Sequence, residues 1–246
     1  MKIITKQDII NGLVDLGLQS GDEIEVHSSL SSFGYVDGRA ETVISALKDV
    51  VNENGSIFMP ALRLSKELPL TEQDKKLGIT TKIQILPEDC DRSAMGIIAD
   101  TFRHMPDTIT NEEIFRISAW GKSANKVKDG LQYLIHNGGK ALLLGVDIYK
   151  LTAMHYVENL LPNDIKNAFP LNDEINRIYP PDKWFIEAGT FPIKPWYTIQ
   201  NMAYEKGVIR DGIIGDSKVM FFNIWDVVGL YEQELKNNPY KLYGLS

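Results

Sequence analysis

The sequence predicts an α/β fold, and three observations carry that expectation. A polar–apolar alternation, an apolar helix face and a short apolar run follow one another between residues 23 and 60. The run Ala141-Leu142-Leu143-Leu144-Gly145-Val146 is continuously apolar over strand length, as expected of a central strand covered on both faces. Helix and strand patterns then recur to residue 237 with no internal repeat and no low-complexity tract.

Residues 6–17 place Ile9, Ile10, Leu13, Val14 and Leu16 at helical spacing, and Gly17 with the Gly21-Asp22 turn ends that helix. Glu23-Ile24-Glu25-Val26-His27 alternates as a strand and opens into a small-residue loop, Ser28 to Gly38. Ala40, Val43, Ile44, Leu47, Val50 and Val51 form one apolar helix face. Gly55 breaks it, and Ser56-Ile57-Phe58-Met59-Pro60 reads as a short buried strand. Residues 62–92 are polar and irregular, the pattern of an excursion over a binding surface. Helical spacing resumes over 95–105 and is expected again over 119–134 and 151–161. From 162 to 200 the chain is rich in Pro and aromatics, which predicts an extended excursion packed on the main body. A helical pattern from 198, a turn region at 207–212, a strand at 218–222 and a helix from Ile224 complete the chain. The expected organisation is one domain over 1–246, with excursions at 62–92 and 162–200.

Composition narrows the function classes. The 246 residues carry 26 Lys plus Arg against 33 Asp plus Glu, a net charge of −7, which argues against a general nucleic-acid binder. One cysteine excludes a disulfide framework. Four histidines without HExxH spacing give no dedicated metal site. No apolar stretch is long enough for a membrane span, and the N-terminus lacks a signal-peptide core, so a soluble cytoplasmic protein is expected.

Three segments can carry chemistry. In Thr152-Ala-Met-His155-Tyr-Val-Glu158, the spacing i, i+3, i+6 puts Thr152, His155 and Glu158 on one helix face. An imidazole beside a carboxylate is stabilised as a cation and can titrate near neutrality, as a general base requires; a capping or core histidine is the bland alternative. The loop His27 to Gly38 offers hydroxyls and amides for an anionic ligand, or merely caps a helix; it matches neither a Walker loop nor GxGxxG. In Glu88 to Gly96, Asp91 or Ser93 is the expected N-cap of the next helix. Cys90, between Asp89 and Asp91, makes a poor thiolate nucleophile, and there is no G-x-S-x-G elbow. His104 and His136 are expected in solvent-facing structural roles.

His27-Ser28-Ser29-Leu30-Ser31-Ser32-Phe33-Gly34, the helix to Val51, Gly55 to Pro60, Met95-Gly96-Ile97, Leu142 to Val146 and Thr152-x-x-His155-x-x-Glu158 stand here in one order. That order and spacing resemble the aminoglycoside 3-N-acetyltransferase family, acyl-CoA-dependent enzymes unrelated to the GNAT acetyltransferases. The resemblance implies an α/β/α sandwich with a mixed central sheet, a non-GNAT N-acyltransferase fold. It also implies coenzyme A, as acyl-CoA, for a co-substrate, and a primary amine of an amino sugar, free or nucleotide-linked, as acceptor. His27, Ser28, Ser29, Leu30, Ser31, Ser32, Phe33 and Gly34, with Ser93, Met95 and Gly96, would hold the pantetheine and phosphates. Thr152 would line the thioester site and His155 would be the base. Glu158 would orient it or meet the acceptor, with Asp91 as an alternative counter-charge.

Aminoglycoside-modifying members usually carry an Arg-Ser-x-His-Pro stretch that Thr108 to Glu113 does not reproduce, so the acceptor stays open at this stage. Arg116, Lys183, Trp184 and Trp196 are the residues that could build a pocket for a nucleotide-linked acceptor. A non-catalytic CoA or carbohydrate binder is the alternative from another class. Assembly into a homo-oligomer also stays open.

Overall fold

Helices and strands alternate from the first turn of the chain, in a computed structural model that describes residues 3–166 and 171–245. β1 (Ile3–Ile4) leads into α1 (Lys6–Leu16), which starts at a capping box: Thr5 accepts from the Asp8 amide, and Asp8 accepts from the Thr5 amide. β2 (Glu23–Ser28), a 3₁₀ turn (Leu30–Phe33), β3 (Tyr35–Val36), α2 (Arg39–Val51) and β4 (Ser56–Pro60) follow. Next come α3 (Glu72–Lys76), β5 (Ile79–Gln84), α4 (Ile97–Arg103), β6 (Ile109–Thr110), β7 (Ile117–Gly121), α5 (Gly130–His136) and β8 (Lys140–Leu144). A long 3₁₀ helix (Thr152–Leu160), α6 (Asn163–Lys166), α7 (Asp173–Ile178), β9 (Trp184–Ala188) and α8 (Pro195–Glu205) precede the closing elements. These are β10 (Arg210–Ile214), β11 (Ser217–Asn223), α9 (Ile224–Asn237) and α10 (Pro239–Tyr243).

The main sheet runs β10-β11-β8-β2-β4-β7-β6. β8, β2 and β4 are mutually parallel, and the flanking strands are antiparallel, so the sheet is mixed. Side-chain alternation divides its two faces. Ile24, Val26, Ile57, Met59, Leu142 and Leu144 pack with α1, α2 and α4. Phe58, Ala141, Leu143, Met220 and Phe222 pack with α5, α8, α9 and the 152–160 segment. The result is the α/β/α sandwich that the sequence resemblance implied.

Several sequence expectations need correction. Residues 119–121 belong to β7, not to a helix: Ala119 is buried against Phe58 across the β4–β7 pair, and only 130–136 is α-helical. The 207–212 turn region is shorter than expected, since β10 begins at Arg210. The helix after β8 is 3₁₀ rather than α. Neither Asp91 nor Ser93 caps α4; that position is Gly96, and Ser93 instead bonds Asp100 with both its hydroxyl (2.8 Å) and its amide (2.9 Å).

The stretch 62–92 is also less irregular than its composition suggests. β5 pairs antiparallel with β9 from the 162–200 stretch, of which residues 167–170 lie outside the described residues. Ile79, Ile175 and Ile186 form a small core beneath that pair. Beside it the buried Asp74 takes hydrogen bonds from Lys82 Nζ (2.7 Å) and the Tyr179 hydroxyl, tying the two excursions together. Burial alone would push the Asp74 carboxyl up, but the bonds from Lys82, Tyr179 and Thr71 outweigh it and hold its pKa well below the ordinary value.

Removing one member of a buried pair strands the other charge, so Asp74→Asn is expected to destabilise this unit by of order 3 kcal/mol at pH 7. Because the folded-state pKa is depressed, the stabilisation is complete above the ordinary carboxylate pKa of 3.8 and fades as pH falls below it. Thermal unfolding of wild type and variant at stepped pH would show the gap closing on the acid side; a gap independent of pH would refute the assignment.

Candidate active site

The site is built where the parallel strands end. β2 finishes at Ser28 and β8 at Leu144, and the chain turns away from both, opening a crevice at the carboxyl edge of the sheet. The Ser29 amide donates to Leu144 O (2.9 Å), and Ser32 Oγ donates to Ser29 O (2.7 Å) and contacts Ser217 Oγ (2.8 Å). Gly145 permits this packing. It has φ +70°, and a Cβ there would stand 1.8 Å from Ser32 Oγ. Gly96, also at positive φ (+90°), brings the 93–96 turn against the same loop, its would-be Cβ 3.8 Å from Ser28 O. The two segments expected to hold pantetheine and phosphates thus meet.

Not every residue of those segments is free to act. Phe33 is fully buried in the core with α1 and α2, so its side chain cannot touch a ligand; ring burial outweighs its place in the motif. Ser32 and Ser93 have hydroxyls engaged within the protein. The side chain of His27 is almost buried and turns inward to Glu25 rather than out to the loop. Ser28, Ser29, Leu30, Ser31, Gly34, Met95 and Gly96 keep accessible surface, the Ser29 and Ser31 hydroxyls lying 3.1 Å from each other.

The 152–160 helix supplies the remaining groups. With three residues per turn, positions three apart eclipse, so Thr152, His155 and Glu158 stand in one outward row while Ala153, Met154 and Val157 are buried beneath. His155 Nδ1 lies 2.7 Å from Glu158 Oε2. The other side of the ring meets Trp196 edge-on, with centroids 4.8 Å apart. Desolvation in this crowded setting pulls the imidazole pKa down. The hydrogen bond and charge of Glu158, with the charges of Glu25 and Glu187, outweigh it and set the pKa above the ordinary histidine value of 6.5. Since 60% of the side chain's own area stays accessible, solvent moderates all of these effects.

Asp91 is not part of this arrangement. It is exposed and makes no hydrogen bond or ion pair among the described residues; Glu25 and Glu187 take the place expected of it. Of the residues considered for a nucleotide-linked acceptor, Arg116 lines a separate cleft with Arg103, Glu88 and Glu112. Arg116 is buried, donating to Ala61 O (2.8 Å) and Glu88 O (2.9 Å), while Trp184 packs on Tyr179 and Trp196 on His155.

Thr152, Ala153, His155 and Tyr156 line a cleft of about 280 Å³, closed on its other sides by Glu113, Phe115, Asp129 and Leu131 among others. Lys128 also lines it. Tyr149, ring-stacked near Trp196, has its phenol pKa raised by burial and by the charges of Glu187, Asp147 and Glu158. His136, bonded to the Tyr156 hydroxyl (2.9 Å), and His104, bonded to Asp100 O (2.7 Å), keep the structural roles expected of them. Among the described residues no His, Cys, Asp and Glu side chains cluster to hold a metal ion, and no helix is long and apolar enough to cross a membrane.

The residue that sequence reasoning missed is Glu25. It reads there as the polar half of an alternating strand, yet it is fully buried on the face beneath the 152–160 helix. No signal in the sequence marked it, because the alternation of 23–27 reads as half-exposed and the strand order alone covers both faces of β2.

This crevice, with an imidazole–carboxylate pair at its mouth, has the makings of a group-transfer site. The aminoglycoside 3-N-acetyltransferase family model matches residues 26–236, and the chain belongs to that family of acyl-CoA-dependent N-acyltransferases, with acyl-CoA as co-substrate. The chain is 29% identical to the SPbeta prophage-derived aminoglycoside N(3')-acetyltransferase-like protein YokD of Bacillus subtilis, covering 96% of this chain and 94% of YokD. The crystal structure of YokD superposes with a TM-score of 0.72 at 24% identity, over 98% and 96% of the two chains. An aminoglycoside N(3)-acetyltransferase III from Salmonella is 26% identical over 91% of this chain and 88% of its own. The structure of AAC-IIIb in binary complex with CoASH matches at TM-score 0.69 and 20% identity, over 96% and 97%.

Because the Glu158 contact favours the imidazolium, Glu158→Gln is expected to lower the pH at which the His155 ring titrates in the free protein. Ring-proton NMR across pH 5–9 reads this directly, and an unchanged midpoint would remove Glu158 from the pair.

Proposed function

We propose that this chain transfers a short acyl group, acetyl in the first instance, from acyl-CoA to a primary amine of a cationic amino sugar, with His155 as general base. One observation carries the reading: His155 lines the cleft with its Nδ1 committed to Glu158, one turn from Thr152, whose amide nitrogen lies 3.2 Å from Nε2 of His27 at the start of the 27–34 segment. Glu158 keeps a proton on Nδ1 and so leaves Nε2 to accept another.

An alkylammonium has no lone pair, so attack on a thioester must begin with loss of a proton. Nε2 takes it, and the freed nitrogen adds to the thioester carbonyl. The tetrahedral intermediate then expels the CoA thiolate, which gains a proton as the amide forms. Thr152 lies on the row that faces this carbonyl. The loop amides and hydroxyls at 28–31, with Gly96 against them, are the donors for the co-substrate, which an acidic protein must bind locally.

The charge of the cleft bears on the acceptor. Glu113 and Asp129, with Lys128 opposing them, line the cleft, and Glu158 and Glu187 act on His155 at its wall; this balance favours a cationic amino sugar over the phosphates of a nucleotide-linked one. The missing Arg-Ser-x-His-Pro stretch therefore alters the acceptor's fit while leaving its charge class unchanged.

His155→Ala is expected to cut turnover by about 10²–10⁴-fold while CoA affinity stays near wild type. A CoA-release assay with acetyl-CoA and a panel of aminoglycosides, free amino sugars and nucleotide amino sugars, with product masses, tests the whole reading; full activity in the variant would overturn the assignment. Gly145→Ala should act on the other substrate. By driving a methyl into Ser32 it displaces the 28–34 loop, and KM for acyl-CoA is expected to rise more than kcat falls.

A further inference from the structure

Glu25 is a carboxylate where packing would favour an apolar side chain. On either side across the sheet it faces Phe58 and Ala141, and none of its surface is accessible. Two donors converge on one of its oxygens. His27 Nε2 lies 2.7 Å from Oε1, and the Ala153 amide donates to the same atom at 3.2 Å. The Thr152 amide nitrogen stands 3.2 Å from the same Nε2. The shorter contact claims the imidazole proton, so His27 donates to Glu25. The second oxygen, Oε2, is buried without a hydrogen-bond partner, leaving the carboxylate under-satisfied by local groups. A buried charge so poorly matched is costly unless it serves another group. Three carboxylates act on His155: Glu158 from its own helix, Glu187 from β9 and Glu25 from β2; the ring that packs on it from α8 is Trp196. Glu25 is the fully buried one of the three, so water and salt screen it least.

We infer that Glu25 is a positioning residue of the transfer reaction: it anchors the opening turn of the 152–160 helix to the central strand and supplies the buried negative charge behind His155. The inference rests on the reading of His155 as the base. The anchor fixes where the Thr152–His155–Glu158 row points, and the charge favours the imidazolium that forms once the amine has given up its proton. Two effects of one side chain are separable. Glutamine keeps an acceptor for the Ala153 amide and loses the charge, whereas methionine fills the apolar surroundings and loses both.

In free Glu25→Gln, the pH at which the His155 ring titrates is expected to fall, with Ala153 amide exchange unchanged. In Glu25→Met the ring shift is expected to persist and the Ala153 amide to exchange about tenfold faster or more, since its charged acceptor is gone. With acetyl-CoA and the best acceptor, kcat in Glu25→Gln should fall by roughly tenfold, a part of what a general base supplies, with KM for acetyl-CoA unchanged. An unshifted His155 titration in both variants, or unaltered Ala153 exchange in the methionine variant, overturns the inference. Both readouts are taken without substrate. They therefore judge Glu25 even if His155→Ala proves fully active, the result that would instead defeat the general-base reading.

Discussion

The contact on which the site depends runs between the middle of the sheet and the helix above it. Glu25 and His27 project from the central strand onto the face that packs against the 152–160 segment, where Glu25 accepts from both the His27 ring and the Ala153 amide. A 3₁₀ helix of nine residues is long for its type, and its geometry offers poorer internal hydrogen bonds than an α-helix. Outside anchors therefore carry weight. Ala153, Met154 and Val157 are held in the core below, and the Ala153 amide at its start is held by Glu25 of the strand. With both constraints in place, the residue period of three aligns Thr152, His155 and Glu158 at the crevice.

The same strand face carries a second polar contact set further from the site. Glu23 accepts from the Tyr133 hydroxyl (2.9 Å), from Ser56 Oγ (3.3 Å) and from Ser123 Oγ, linking β2 to β4, α5 and the turn before it. Along one edge of a single strand, polar groups thus mark the joints between the sheet and the layer that bears the site. Apolar packing supplies most of the attraction between these layers but does not specify register; directional bonds from a strand do. This separation of tasks explains why so many polar atoms survive under a covered face.

Charge works on a larger scale. A protein with net charge −7 that uses an anionic co-substrate must divide its surface. The 28–31 segment meets the 93–96 turn at Gly96, while the carboxylates of Glu158 and Glu187 act on His155 and Tyr149. The two excursions contribute to the second group. Their β5–β9 pair, tied at Asp74, Lys82 and Tyr179, places Glu187 on a strand whose field reaches both His155 and Tyr149. A small satellite core thereby bears on the electrostatics of the main site.

Much of this was legible from residue order alone. The periodicities at 6–17, 23–27, 40–51, 56–60 and 141–146 defined the elements around the crevice, because side-chain period is a local property. The Thr152–His155–Glu158 spacing pointed to one shared face, which holds for either helix type. Other features were not legible, each for a physical reason. Ala119 favours helix and Trp120 strand, so local preference is divided, and pairing with β4 decided that they form a strand. The partnership of residues 79–84 with 184–188 is a contact between segments about a hundred positions apart, invisible to any local pattern. The sequence offered Asp91 as a counter-charge and gave no reason to choose Glu25; only the fold placed one in solvent and the other under the site. The sequence by itself determined which segments become strands and helices and which side chains hold reactive chemistry. Tertiary structure decided which of those side chains meet, because proximity across a sheet depends on strand order and register, and neither is encoded in the spacing of any one segment.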